Sequence, residues 1–97
     1  MNIRIFKLVT GEELISEYDD QAGAYTLKSP AVIVMQRTEQ GVGVGLMPYM
    51  PYASGKITLN PQAVVSHCEA DVKMVNEYNR LFGSGIQIAS AGSVPGL

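Results

Sequence analysis

Residues 2–18 read NIRIFKLVTGEELISEY and carry the clearest strand pattern in the chain. Apolar side chains alternate with polar ones on both sides of a central glycine, which is typical of two short β-strands joined by a turn. In the second strand, Leu14 and Tyr18 fall on one face and are predicted to point into the core. Glu13 and Ile15 fall on the other face, which is predicted to be half solvated.

Turn and strand signals continue along the chain. Polar clusters that end in glycine predict turns over residues 19–23 and 37–41. A bend or bulge is expected near Pro30, because proline lacks a backbone donor and holds the preceding residue in an extended shape. Further strands are predicted over residues 24–36, 42–50, 56–59 and 63–66. This spacing predicts a mainly β domain, either a small twisted barrel or a sandwich.

One segment has a helical period instead. Residues 66–69 match the S-x-x-E capping box, in which Ser66 and Glu69 satisfy the first backbone amides of a helix. A helix over about 67–82 is therefore predicted. Residues 83–97 are rich in Gly and Ser and carry no charge, so they are predicted to be a tail that follows a single domain of residues 1–82. The apolar stripe of the helix consists of Met74, Val75, Tyr78, Leu81 and Phe82.

Composition narrows the class of protein. The chain has 97 residues, a net charge of −2 and a single cysteine. A domain of this size buries about 60–65% of its unfolded surface, and so small a core is compatible with a partner or an oligomer. One cysteine excludes an intrachain disulfide and a multi-cysteine zinc cluster, which favours a cytoplasmic protein. No signal peptide or membrane span is predicted, and the acidic balance disfavours duplex DNA binding.

Three groupings look like ligand-binding motifs, and for each a structural explanation is favoured. His67 and Cys68 are adjacent, but neighbours point in different directions on a strand or a helix, so a buried thiol and a histidine at the helix start are predicted. Five acidic residues within residues 12–20 lack the spacing of a metal loop, and a solvated strand face is favoured. The glycines of residues 41–45 permit strand bending, and no helix follows to hold a phosphate. No enzyme activity, metal or cofactor is predicted.

Residues 47–52, MPYMPY, combine two methionines and two tyrosines with two prolines. Tyrosine has a large apolar face and a polar tip, which suits a protein interface, a core or a base-stacking surface. A subunit interface is the favoured interpretation of this Met/Tyr cluster. A place in the core comes second, and nucleic-acid stacking comes third.

Two short motifs resemble a known family. Residues 6–18 follow F-x-L-x-x-G-x-x-L-x-S-x-Y, and residues 59–65 read LNPQAVV. These are similar to the Sm1 and Sm2 patterns of the Sm-like fold shared by Sm, LSm and bacterial Hfq proteins, and most of all to Sm-like proteins attributed to cyanophages. Ser16 stands at the second glycine position of Sm1, and Asn60 and Pro61 stand in place of the Arg-Gly of Sm2.

The resemblance implies a small, strongly bent Sm-like β-barrel of about five strands, to which the C-terminal helix is appended. It also implies a non-enzymatic protein that forms a homo-oligomeric ring of roughly five to seven subunits by pairing edge strands. The residues expected at the oligomer interface are Val42, Val44, Met47, Tyr49, Met50, Tyr52 and Val64.

Single-stranded RNA is the partner that the resemblance implies. Tyr25 is expected to stack on a base and Asn60 to read its edge, while Lys28 or Lys56 is expected to hold phosphate. Residues 21–68 contain three basic residues against one acidic residue, a local charge of +2. The alternative is a phage structural or adaptor module that acts through protein contacts without RNA. A phage protein of either kind would be located in the host cytoplasm.

Overall fold

The computed structural model of the protein describes residues 2–21 and 23–82, and of Asp20 and Gln21 it describes the backbone alone. The predicted tail, residues 83–97, lies outside these ranges. In the described part, six strands form one antiparallel sheet and one helix follows them. The prediction of a mainly β domain with one C-terminal helix is confirmed.

The elements follow the predicted order. The predicted hairpin of residues 2–18 is formed by the first two strands. A 3₁₀ turn, Pro61–Ala63, precedes the last strand, and the helix α1 covers Val72–Phe82. The strands are β1 (Ile3–Leu8), β2 (Glu13–Gln21), β3 (Ala24–Thr38), β4 (Gly41–Pro48), β5 (Ile57–Leu59) and β6 (Val64–Glu69).

The strand order is β4-β3-β2-β1-β6, and β5 pairs with β3 away from this path. β3 is long enough to have two partners, because its residues 25–27 pair with β5 and its residues 31–38 pair with β4. β4 and β6 are the two ends of the order, and no ladder joins them within the described residues. The sheet is strongly bent but is not a closed barrel, so the predicted barrel is open between these two strands.

The sheet is irregular at the predicted bend beside Pro30. Ser29 has a positive φ of 53°, and the pairing of β2 with β3 shifts register just before Glu17. Ser16 is fully buried inside this shift, and its Oγ lies 2.7 Å from the carbonyl oxygen of Glu17 and 3.0 Å from that of Lys28. The expected bend is confirmed, and the buried serine supplies polar contacts where the regular ladder is interrupted.

The predicted turn over residues 19–23 is shorter than expected. Asp19, Asp20 and Gln21 continue β2, because each pairs with a residue at the start of β3. The chain reverses around Gly23, whose φ of 78° suits a residue without a side chain.

Both faces of the sheet are packed. The inner face carries a buried cluster, and α1 covers a second cluster on the outer face. The prediction that the face of Ile15 is half solvated is wrong at that residue, which is fully buried because the helix packs onto it. The inner cluster consists of Phe6, Leu8, Leu14, Leu27 and Leu59, and the outer cluster consists of Ile3, Ile15, Ala31 and Tyr78.

The helix predicted over about 67–82 begins later, at Val72. The capping-box residues Ser66 and Glu69 belong to β6 and pair with β1. The cap is Asp71, whose Oδ1 accepts a hydrogen bond of 2.9 Å from the backbone amide three residues on. Pairing with β1 gives the backbone of β6 hydrogen bonds on one side, and these compete with a helix start at Ser66.

The apolar stripe of α1 packs against the sheet as its spacing predicts. Met74, Val75 and Phe82 contact the outer cluster, and Tyr78 is buried within it. Leu81 lies at the margin and stays 42% exposed.

Candidate interaction surfaces

β4 is an edge strand with no charged residue. Its sequence is GVGVGLMP, and Val42, Val44 and Met47 are 61%, 41% and 56% exposed. Edge strands are normally protected by charge, by a bulge or by a covering element, and β4 has neither a charge nor a register shift along its pairing with β3. An apolar edge of this length is a surface suited to pairing with another strand.

β6 forms the opposite edge of the sheet. Its sequence is VVSHCE, in which Glu69 is the one charged residue and Val65 is 64% exposed. The strand pairs with β1 on one side, and in the described part of the chain no strand pairs with its other side. Two different strands, β4 and β6, therefore lie at the two ends of the strand order.

Val44 and Cys68 lie on the same face of the sheet, at opposite edges. Leu46, two residues from Val44, packs on the outer cluster, and Cys68 pairs with Ile5, which packs on it too.

The predictions for the His67-Cys68 pair are wrong, because Cys68 is exposed and both residues lie on a strand. Their side chains point to opposite faces, as alternation on a strand requires.

The Met/Tyr cluster does not form a single surface. Tyr52 is 82% exposed, whereas Tyr49 and Val64 are half-buried against the inner cluster. Met50 has a positive φ of 55° and lines a groove of 330 Å³ that also contains Phe82. The interface role of this cluster stays a prediction.

One glycine of β4 lies against a neighbouring side chain. A Cβ atom on Gly45 would lie 2.8 Å from Nε2 of Gln36, whose amide folds across the strand. Gln36 is exposed and its amide can shift, so this contact does not by itself require a glycine, and strand bending stays the predicted reason for these glycines.

The four residues expected to bind RNA are divided between the two faces of the sheet. Lys28 and Lys56 line an outer groove of 240 Å³ together with Glu17, and Lys28 Nζ lies 3.8 Å from Glu17 Oε1. Tyr25 packs against the inner cluster instead, three positions from Lys28 and so on the opposite face. Asn60 caps the 3₁₀ turn, where its Oδ1 accepts from the backbone amide two residues on, at 2.9 Å.

Tyr25 belongs to a compact group of aromatic and cationic side chains, which we call the Arg4 cluster: Arg4, Tyr18, Tyr25 and His67. The ring centroids of Tyr25 and His67 are 5.5 Å apart, and those of Tyr18 and Tyr25 are 6.2 Å apart. The guanidinium carbon of Arg4 lies 5.6 Å from the centre of the Tyr18 ring, at cation–π distance. Buried Phe6 contacts all three rings and forms the floor of the group.

Sequence reasoning missed Arg4 and His67 as partners of Tyr25. The two residues lie 63 positions apart and meet because β6 pairs with β1, which places His67 opposite Phe6. The alternation of β1 places Arg4 on the same face as Phe6, and this was the one signal available in the sequence.

Within residues 2–21 and 23–82, α1 is the one α-helix, and no helix is long and apolar enough to cross a membrane. No family model matches the chain, and no curated protein matches it either.

Proposed function

We propose that the protein is a non-enzymatic, Sm-like subunit that assembles into a homo-oligomeric ring through its edge strands. The observation that carries the proposal is the pair of unpaired edges, β4 and β6, neither of which is protected by charge along its centre. Pairing β4 of one copy with β6 of the next satisfies both edges with one repeated contact. Because the two edges differ, the contact is head-to-tail, and such a contact makes a closed ring when the rotation between copies closes.

The exposed side chains support the same assembly. Val42 and Val44 on β4 and Val65 on β6 are more than two-fifths exposed in the single subunit. Their burial between copies would remove apolar surface from water at about 25 cal/mol per Å². A small domain gains a larger apolar core in this way than it can build alone.

The ring is tested by disulfide cross-linking to Cys68, the one cysteine of the chain. Val44→Cys and Val42→Cys place a second thiol on β4, on the same sheet face as Cys68. Under mild oxidation we expect at least one of them to give a ladder of covalent oligomers on a non-reducing gel, because paired strands bring Cα atoms within about 5–7 Å. The largest species should equal the mass of the untreated assembly measured by light scattering.

Two matched variants control this experiment. Met47→Cys lies on the opposite face of β4 and is expected to cross-link poorly. Adding Cys68→Ser to Val44→Cys or to Val42→Cys should abolish the ladder. A wild-type protein that stays at the 10.4 kDa monomer mass at micromolar concentration would contradict the ring.

Single-stranded RNA is the ligand that we propose for the ring. The Arg4 cluster supports this role, because aromatic rings beside a guanidinium group are suited to unpaired bases. Titration of uridine-rich and adenine-rich oligomers at low salt, followed by fluorescence anisotropy, should show saturable binding to the wild-type ring. A ring that forms but binds neither oligomer, and purifies without nucleic acid, would instead support the phage adaptor module acting through protein contacts.

A further inference from the structure

The hydrogen bonds of Arg4 determine which nitrogen of His67 carries the proton. Nε and Nη2 of Arg4 lie 3.3 Å and 3.1 Å from Nδ1 of His67. A guanidinium group has five N–H donors and no acceptor, so Nδ1 must accept. In the neutral imidazole the proton is then on Nε2, which becomes a hydrogen-bond donor.

His67 presents this donor at the surface. The side chain is exposed in the single chain, and the hydrogen bonds that His67 makes within the described residues are to Nδ1. Behind the imidazole lie the half-buried rings of Tyr25 and Tyr18 on the Phe6 floor. The cluster therefore combines an open ring face, a directed N–H donor and a rigid support.

The guanidinium group of Arg4 already has partners within the protein. Two of its nitrogens contact His67, and Nη1 lies 3.9 Å from Oε2 of Glu69. The side chain of Arg4 is 19% exposed and that of Glu69 is 83% exposed, so a phosphate approaching this point would meet the carboxylate first. The site is therefore better suited to a neutral base, which offers an acceptor and a π-face, than to a phosphate group.

We infer that His67 contacts a base of single-stranded RNA, stacking on its face or donating Nε2–H to an acceptor on its edge, with Arg4 as the positioning residue. This inference rests on the proposed RNA role of the ring. It differs from the sequence-based expectation, which placed base reading on Asn60. The bound group is an unpaired base, because a base inside a duplex is already stacked on both sides.

The first measurement is of the imidazole itself. His67 is the one histidine of the chain, so its ring nitrogens give a single set of signals in ¹⁵N NMR. At pH 8 the free protein should show a protonated Nε2 and an unprotonated Nδ1, and uridine-rich or adenine-rich RNA should shift the Nε2 signal. Arg4→Gln removes the two donors that hold this form, so a mixture of both tautomers is expected in that variant.

The second measurement is the affinity and its salt dependence. His67→Phe keeps a ring and a side chain favoured in strands but removes the donor, so we expect RNA affinity to fall about 3- to 10-fold. His67→Ala removes the ring as well, and a fall of about 10- to 100-fold is expected. Neither variant should change the slope of log affinity against log salt, because no phosphate contact is lost. Lys56→Gln is the contrasting variant, since the loss of a phosphate contact reduces the magnitude of that slope by about 1.

The outcomes separate the inference from the proposed function. RNA binding that is unchanged in His67→Ala, with no shift of the imidazole signals, would overturn the base contact and leave the RNA-binding ring standing. Absence of RNA binding by the wild-type ring would overturn both. A proton on Nδ1 in the free protein would contradict the role assigned to Arg4.

Discussion

Replacing Tyr78 with alanine is expected to lower the free energy of unfolding by about 3–5 kcal/mol, the usual range for deleting a buried aromatic side chain. Tyr78 is 4% exposed and is the one buried residue that α1 contributes to the outer cluster. Its replacement with phenylalanine removes the hydroxyl alone and is expected to lower the free energy of unfolding by about 1–3 kcal/mol. Urea denaturation followed by circular dichroism measures both changes.

The phenylalanine variant isolates what the hydroxyl does. The Tyr78 oxygen lies 2.7 Å from the carbonyl oxygen of Lys28 and 2.9 Å from that of Ser29, and it accepts from the backbone nitrogen of Glu17 at 3.2 Å. These backbone groups lie where β2 and β3 shift register, so the sheet itself supplies fewer partners there. Removal of the hydroxyl leaves polar groups beneath the helix with fewer hydrogen bonds.

The same hydroxyl makes the free energy of unfolding depend on pH in the alkaline range. Burial raises the pKa of Tyr78 above its ordinary value of 10.0. The unfolded chain loses this proton near the ordinary value while the folded chain keeps it. The stabilisation is therefore complete below the unfolded pKa and is lost as the pH rises through the folded one. We expect wild-type stability to fall more steeply above about pH 10 than that of Tyr78→Phe, and equal slopes would contradict the buried hydroxyl.

Tyr52→Phe is the matched control for the hydroxyl. Tyr52 is 82% exposed, so its hydroxyl contacts water, and a change within about 0.5 kcal/mol is expected. A loss in Tyr78→Phe no larger than the loss in this control would show that the contacts of Tyr78 with the backbone do not stabilise the fold.

Val44→Lys is expected to convert the proposed ring into monomers. A lysine at the centre of β4 would have to leave water as the strands of two subunits pair, and several kcal/mol is the usual cost of burying an unpaired charge. A cost of about 3 kcal/mol weakens each contact about 100-fold. Light scattering at micromolar concentration should then report a mass near 10.4 kDa.

The subunit itself should tolerate this change. Val44 is 41% exposed, so the new ammonium group can reach water in the monomer, and circular dichroism should retain the strand signal. Val72→Lys makes the same substitution at the first residue of α1, which is 73% exposed and belongs to neither edge strand, and it should keep the wild-type mass. A Val44→Lys protein with the wild-type mass would exclude β4 as the contact.

Local patterns predicted most of the elements. The hairpin of β1 and β2, the bend at Ser29 and the stripe of α1 follow from periods and proline effects that act within a few residues. The helix start was wrong because its capping-box signal is local, whereas the pairing of β6 with β1 that overrides it joins residues about sixty positions apart. The burial of Ile15 was missed for the same reason, since the element that covers it comes last in the chain.

The candidate base site also depends partly on local sequence and partly on pairings between distant strands. Tyr25 was identified from residue type and position, but its neighbours were not. Lys28 and Lys56 were expected to hold phosphate, and they line one groove with Glu17, with Lys28 on the face of the sheet opposite to Tyr25. Arg4 and His67 lie close to Tyr25 instead, because β1 pairs with β6.

The sequence by itself determined the class of the fold, because the alternation along each strand and the helical stripe depend only on residues close together in the chain. It also determined that β4 carries no charge, so charge cannot protect this strand if it forms an edge. The tertiary structure decided which strands are edges, which side chains surround His67 and which face α1 covers. These depend on pairings between distant segments, and an alternating pattern specifies the face of a side chain but not the strand that lies beside it.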